Sequence, residues 1–265
     1  MRSEEMLARL LPYARADRHD DAKRRALLSV TSSDEFETLD IFHGLLFGSP
    51  VGGMHRLELR APDGTTRSVD VPAISLADRQ KFRITIPVKS DQPLWQWEMR
   101  SDGIAVLTMN DWVTYNTKWD WKGWLADRLS TLKGAHGLIV DIRANEGGED
   151  CGDEIIACFA KADVGLDEER RLIRYRTTPK TLDPYLDTWD DSFRALGVDA
   201  ETYDERYLRL KRGDTARVIA ARGPRIDLPM AVLIGPQNSS ATFQFAAHSK
   251  QAGIATLIGE PTGGN

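Results

Sequence analysis

At 265 residues, 41% of them hydrophobic, the chain is long enough to fill a core as one large domain or two small ones. A net charge of −5 leaves no basic footprint and excludes the usual nucleic-acid binder. No apolar run is long enough to span a bilayer, and the N-terminus lacks the apolar stretch of a signal peptide, so the chain as written is expected in the cytoplasm, or exported if a signal lies upstream.

Residues 3–14 and 20–30 carry apolar stripes behind the capping residues Ser3 and Asp20 and are expected as helices, with Pro12 weakening the end of the first. Residues 55–61 and 65–71 alternate around Pro62-Asp63-Gly64, a hairpin signal. Residues 1–88 therefore read as a small α+β module. A second region begins near Pro93. Gly103–Met109 reads as a strand. Trp121–Leu132 reads as an amphipathic helix closed by Gly134. Leu138–Ile142 is a buried strand and Cys151–Ala160 a helix. Residues 163–227 are charged and irregular, an insertion or lid with a helix expected over 184–196. Met230–Ile234 is the next buried strand, Ser240–Gln251 a helix ended by Gly253, and Ile254–Ile258 a strand. This alternation predicts an α/β core.

Six of the seven tryptophans fall close together (Trp95, Trp97, Trp112, Trp119, Trp121 and Trp124) and are expected to pack with one another. Cys151 and Cys158 lie two turns apart on one expected helix, about 10 Å along its axis, too far for a disulfide. They read as free thiols. No Cys/His cluster has zinc spacing and no phosphate loop is present, so neither metal nor cofactor is expected.

Two segments carry chemistry: Leu138-Ile-Val-Asp-Ile-Arg-Ala-Asn-Glu-Gly-Gly148 and Met230-Ala-Val-Leu-Ile-Gly-Pro-Gln-Asn-Ser-Ser-Ala-Thr-Phe243. Each runs from a buried strand through a turn into a helix. Adjacent glycines in the first turn present backbone N–H groups without side-chain obstruction, and Asn145 is suited to fix that turn through backbone bonds. The second places Ser240 at a helix start, where the dipole favours negative charge and the Ala241 N–H is free for an oxyanion. A serine beside a backbone anion site is what acyl transfer requires. By spacing alone, the favoured reading is that Ser239 or Ser240 merely caps the helix.

Taken together the blocks resemble those of the tail-specific (C-terminal processing) serine peptidases. Leu138–Gly148 resembles that family's hallmark strand and turn, and Ser239–Phe243 its nucleophile helix. Leu257-Ile-Gly-Glu-Pro-Thr-Gly-Gly264 is similar to its closing strand and turn, and Gly103–Leu107 to its opening strand. The resemblance covers residues 93–265. It implies a crotonase-like (Clp-protease-like) α/β core and a polypeptide substrate. It also implies Ser240 as nucleophile, with an oxyanion hole from the Ala241 N–H and a glycine N–H of Gly147-Gly148. Residues 55–71 resemble the last strands of the PDZ-like module that precedes such cores.

The departures bear on the general base. One branch of the family has a lysine at the end of the closing motif, where this chain has Asn265, and an amide is no base. That directs the chain toward the tricorn-like and retinoid-binding-protein-like branch. Its base is a histidine from an N-terminal region, with a glutamate beyond the closing motif. The chain stops before such a glutamate, so a fragment of a longer protein is expected. His248 lies about 12 Å along the helix from Ser240, Lys250 lies farther, and His136 sits at the wrong end of its strand. His19 reads as a surface residue. His43 and His55 remain, and for each the favoured reading is a structural histidine. The leading expectation is a serine endopeptidase acting through an acyl-enzyme on Ser240. The rivals are a non-catalytic peptide- or ligand-binding module and, on fold alone, an acyl-CoA enzyme.

Overall fold

The structure is a computed structural model that describes residues 2–14, 20–29, 37–82, 92–166, 171–188, 190–211 and 217–264. The chain divides into two compact units, one formed by residues 1–154 with 226–265 and the other by 155–225.

Three helices open the first unit: α1 (Ser3–Leu10), α2 (Asp21–Leu27) and α3 (Thr38–Phe47). The first ends in a 3₁₀ turn that holds Pro12, as expected of a ring that cannot continue the ladder. Leu10, Ala14 and Leu28 are buried together, with Leu39, Phe42 and Leu46 of α3 packed over them. The hairpin follows as β1 (Met54–Arg60) and β2 (Thr66–Pro72), paired from Met54↔Pro72 to Arg60↔Thr66. Asp63 accepts the Thr65 N–H and closes its turn. A short helix α4 (Leu76–Gln80) comes next, capped by Ser75. Neither α3 nor α4 is among the elements expected from the sequence.

A five-stranded mixed sheet forms the rest of this unit. Its strands are β3 (Gln96–Met99), β4 (Ile104–Thr108), β5 (Gly137–Asp141), β11 (Met230–Ile234) and β12 (Thr256–Gly259), in the order β12-β11-β5-β4-β3. All neighbours run parallel except β3, an antiparallel edge strand on β4. Parallel neighbours need crossovers. Helix α5 (Trp121–Ser130) links β4 to β5, and α7 (Ala241–Gln251) links β11 to β12. Leu107, Val140 and Val232, from three adjacent strands, are fully buried. Asp120 starts α5 by accepting the Gly123 N–H, and Leu125 and Leu129 point it into the core.

The tryptophan cluster is smaller than the spacing predicts. Trp95 packs edge-on against Trp119, Trp121 and Trp124 at centroid distances of 4.9, 5.6 and 6.1 Å. Trp112 instead lies against Phe245 of α7 at 5.7 Å. Trp97 sits half-buried on the edge strand β3.

Helix α6 (Gly152–Phe159) leads into the second unit, which holds β6 (Val164–Gly165), β7 (Arg171–Ile173), β8 (Ala200–Thr202), β9 (Leu208–Leu210) and β10 (Val218–Ile219). Strands β7, β9 and β8 form one antiparallel sheet, and β6 pairs with β10. A small core joins Leu196, Ala200 and Leu210. The helix expected over 184–196 is replaced by 3₁₀ segments at Lys180–Tyr185 and Asp191–Arg194. Asp190 draws the Ser192 N–H into a local turn at 2.9 Å in the middle of that segment. Both cysteines are free thiols, Cys151 buried and Cys158 half-buried. Among the described residues no helix is long and apolar enough to cross a membrane.

Candidate active site

The parallel register sets the ends of β5 and β11 side by side, with Leu233 opposite Asp141, so the turns that follow them meet. Asn145, fully buried, builds the first turn. Its amide nitrogen donates to the Met109 carbonyl at 2.7 Å, and its amide oxygen accepts the Gly147 N–H at 2.9 Å. Asn238, equally buried, ties the second turn to the first. It donates to the carbonyls of Ile142 and Asn145, the latter at 2.9 Å, and accepts the Gly235 N–H at 2.8 Å. Ser239 Oγ donates to the Glu146 carbonyl at 3.1 Å. The closing turn joins in: the Ser240 N–H donates to the Gly264 carbonyl at 3.2 Å, and the Gly263 N–H to that of Asn238 at 2.7 Å.

The expected nucleophile and glycine turn are brought together by this bracing. Gly147 has φ 112°, and a Cβ there would stand 2.7 Å from the Ser239 carbonyl oxygen and 3.0 Å from Ser240 Cβ, so only glycine fits. Among the described residues Ser240 alone, glycines aside, has a positive φ (52°, with ψ −128°). That lies outside the left-handed helical basin and is strained for a side-chain-bearing residue. Ser240 is exposed, and its side chain does not cap the helix. Ser239 is no side-chain cap either; its carbonyl accepts the Thr242 N–H at 3.2 Å.

The N–H groups differ in availability. That of Gly147 is held by Asn145. Those of Gly148 and Ala241 have no partner among the described residues. Nor does any described histidine or lysine hydrogen-bond Ser240. His43 and His55 lie against each other, ring centroids 5.8 Å apart, on α3 and β1. His136 bonds the Asp102 carbonyl at the opposite end of the sheet, and His248 is half-buried on α7. His19 and Asn265 lie outside the described residues.

A cavity of 510 Å³ opens beside these turns, with Lys23, Leu27 and Thr38 on one wall and Glu146, Pro236 and Gln237 on the other. Arg143 clasps Asp141 through two bonds of 2.9 and 2.7 Å and holds that carboxyl below its ordinary range. Burial, aided by the Glu149 charge, pushes the Cys151 thiol up, so it is a packing residue and not a second nucleophile. No group of three side chains able to hold a metal occurs among the described residues.

The sequence profile of peptidase family S41 matches residues 103–265, more than half of the chain and all of the segments that meet at Ser240. The chain belongs to peptidase family S41. Among solved structures, that of mature CPAF complexed with lactacystin is 17% identical with a TM-score of 0.51, covering 98% of this S41 chain and 62% of its own length. The photosystem II D1 C-terminal processing protease is 17% identical with a TM-score of 0.39, over 79% of this chain and 44% of that one. A putative peptidase from Parabacteroides merdae is 15% identical with a TM-score of 0.44, over 99% and 75%. The chain thus spans about three-fifths of the length of the CPAF chain it matches. No curated protein matches it by sequence.

Sequence reasoning singled out Ser240, Ala241, Gly147, Gly148 and Asn145 in this S41 site but missed Asn238 and Thr242. The one available signal was that both are polar residues within a strand-to-helix turn. Their partners, roughly a hundred residues away in the chain, leave no local trace.

Proposed function

We propose that this S41 protein is a serine endopeptidase that cleaves polypeptides through an acyl-enzyme on Ser240. The observation that carries this reading is the exposed, strained Ser240 with the two unengaged N–H groups of Gly148 and Ala241 on the turns that meet there. Ser240 Oγ attacks the scissile carbonyl, its proton passing through the general base to the leaving amine, while the Ala241 and Gly148 N–H groups receive the developing oxyanion. The amine leaves, and water releases the acyl group from Ser240. Gly147 supports the hole through its Cα, its own N–H being committed to Asn145. The cavity beside Glu146 and Gln237 offers room for substrate side chains. The parallel sheet with its crossover helices supports a crotonase-like core over residues 93–265, with 163–227 as an insertion and 1–88 as a small PDZ-like or lid module.

Fluorophosphonate labelling with mapping by mass spectrometry tests the assignment. Covalent modification of Ser240, absent in Ser240→Ala, is the expected result. His43→Ala and His55→Ala then identify the base, since catalytic contacts are often long before substrate binds. The lack of any hydrogen bond from Ser240 to a described base favours one second reading, a peptide-binding module on the same scaffold. Peptide affinity that survives Ser240→Ala, with no turnover by the unaltered protein, would establish it.

A further inference from the structure

We infer that Asn238 is the positioning residue of the oxyanion hole: its buried carboxamide sets the glycine turn and the nucleophile turn at their working separation. This rests on the reading of Ser240 as the nucleophile. Asn238 is 0% exposed and joins four segments at once. Its two amide hydrogens face the carbonyls of Ile142, at the end of β5, and Asn145, in the glycine turn. Its amide oxygen receives the N–H of Gly235, just past β11, and its main-chain carbonyl receives that of Gly263 in the closing turn.

The position in the chain makes these bonds consequential. Ser240 lies two residues beyond Asn238, and Gly148 three residues beyond Asn145. A strained backbone such as that of Ser240 persists only where its surroundings over-determine it. Asn238 before it and the Ser240 N–H bond to Gly264 are two such constraints. Thr242 Oγ1 adds a third. Its single hydrogen faces the Asn145 carbonyl at 3.0 Å and that of Ser239 at 2.9 Å, so the glycine turn and the start of α7 share one donor.

The side chain cannot be exchanged without loss. Aspartate keeps the acceptor for Gly235 but sets an oxygen against two carbonyls. Leucine fills the space but removes both donors and leaves the Gly235 N–H without its acceptor, while the Ile142 and Asn145 carbonyls keep only the Asn145 N–H and Thr242 Oγ1. Serine retains one donor and serves as the conservative variant. A small shift of donors aimed at developing charge weakens the transition state more than the bound substrate.

The test compares the full-length protein with Asn238→Asp and Asn238→Ser. It uses a fluorogenic peptide, a peptidyl boronate that forms a tetrahedral anionic adduct on Ser240, and amide hydrogen exchange. Asn238→Asp is expected to lower kcat about 100-fold while KM stays within about 3-fold. Boronate affinity should fall in parallel, and Asn238→Ser should lie between the two. Exchange should quicken in residues 143–149 and 235–242 and not in α5. Unchanged kcat and boronate affinity in either folded variant, or a lowered melting temperature with intact boronate affinity, would overturn the inference. An unaltered protein that forms no adduct and turns over no peptide would instead sink the peptidase reading. In that event exchange alone decides: equal rates over 143–149 in Asn238→Ser and the unaltered protein would refute the bracing.

Discussion

The central sheet and the 155–225 unit solve the same problem with different means. In the sheet, strands of four or five residues stack in parallel register, and long-range packing holds turns such as the one at Gly147 against their neighbours. In the second unit the strands are two or three residues long and the core is a few side chains. Arginines do much of the tying there: Arg176 donates to the Gly197 and Ala200 carbonyls, and Arg194 pairs with Asp183 and Asp191. A continuous apolar layer permits strained backbone and crowded glycines, because many contacts share the load. A loop-rich unit with little apolar area does not.

The sharpest way to break this comparison is one substitution made in both places. Gly147→Ala forces a Cβ against Ser239 at φ 112°. It is expected to lower kcat/KM by about 100-fold or more, the scale of losing one oxyanion donor. Gly197 in the second unit has φ 54° with nothing within 4 Å of a Cβ. Gly197→Ala should cost about 1–2 kcal/mol of backbone strain and leave activity intact. Equal losses from the two in a peptidase assay and a urea melt would mean that the regions are not distinct.

Leucine truncation is the next step down. Leu107 and Leu210 are equally buried, at 0% and 1% exposure. Leu107→Ala should lower global stability by about 3 kcal/mol. Leu210→Ala should open its own unit, seen as faster hydrogen exchange confined to residues 171–211. A single common transition shifted equally by both would join the two units into one cooperative fold.

The smallest effect is electrostatic. Hydrogen bonds from Arg143 hold the Asp141 carboxyl below 3.8. Its contribution is therefore complete above that value and disappears as pH falls through the lowered pKa. Because Arg143 is 62% exposed, solvent screening limits the contribution to about 1 kcal/mol or less. Asp141→Asn should lower stability at pH 7 by about 1 kcal/mol or less, and its difference from the unaltered protein should vanish as pH falls through the lowered pKa. A loss at neutral pH as large as that of Leu107→Ala would show that the pair braces the turn as well as the charge.

Much of the sheet was legible in the chain, since apolar runs such as Leu138–Ile142 and Met230–Ile234 have no other way to be satisfied. The glycine pair and the serine at a helix start were legible too, because turn chemistry is local. What failed were elements governed by competition. Asp190 drew the middle of the expected helix in the second unit into a local turn, and the short α3 stripe of Leu39, Phe42 and Leu46 gained its partner only in the cluster around Leu10 and Leu28.

The amino-acid order by itself determined the hairpin, the four parallel strands of the sheet, the crossover helices α5 and α7 and the place of Ser240 at a helix start, since each follows from hydrophobic period or from a short motif. Tertiary structure decided the rest. It committed the Gly147 N–H to Asn145, left those of Gly148 and Ala241 unengaged, brought His43 beside His55, and set Asn238 between carbonyls 93 and 96 residues away. A hydrogen bond depends on where atoms lie in space, and only the folded sheet puts those two turns side by side.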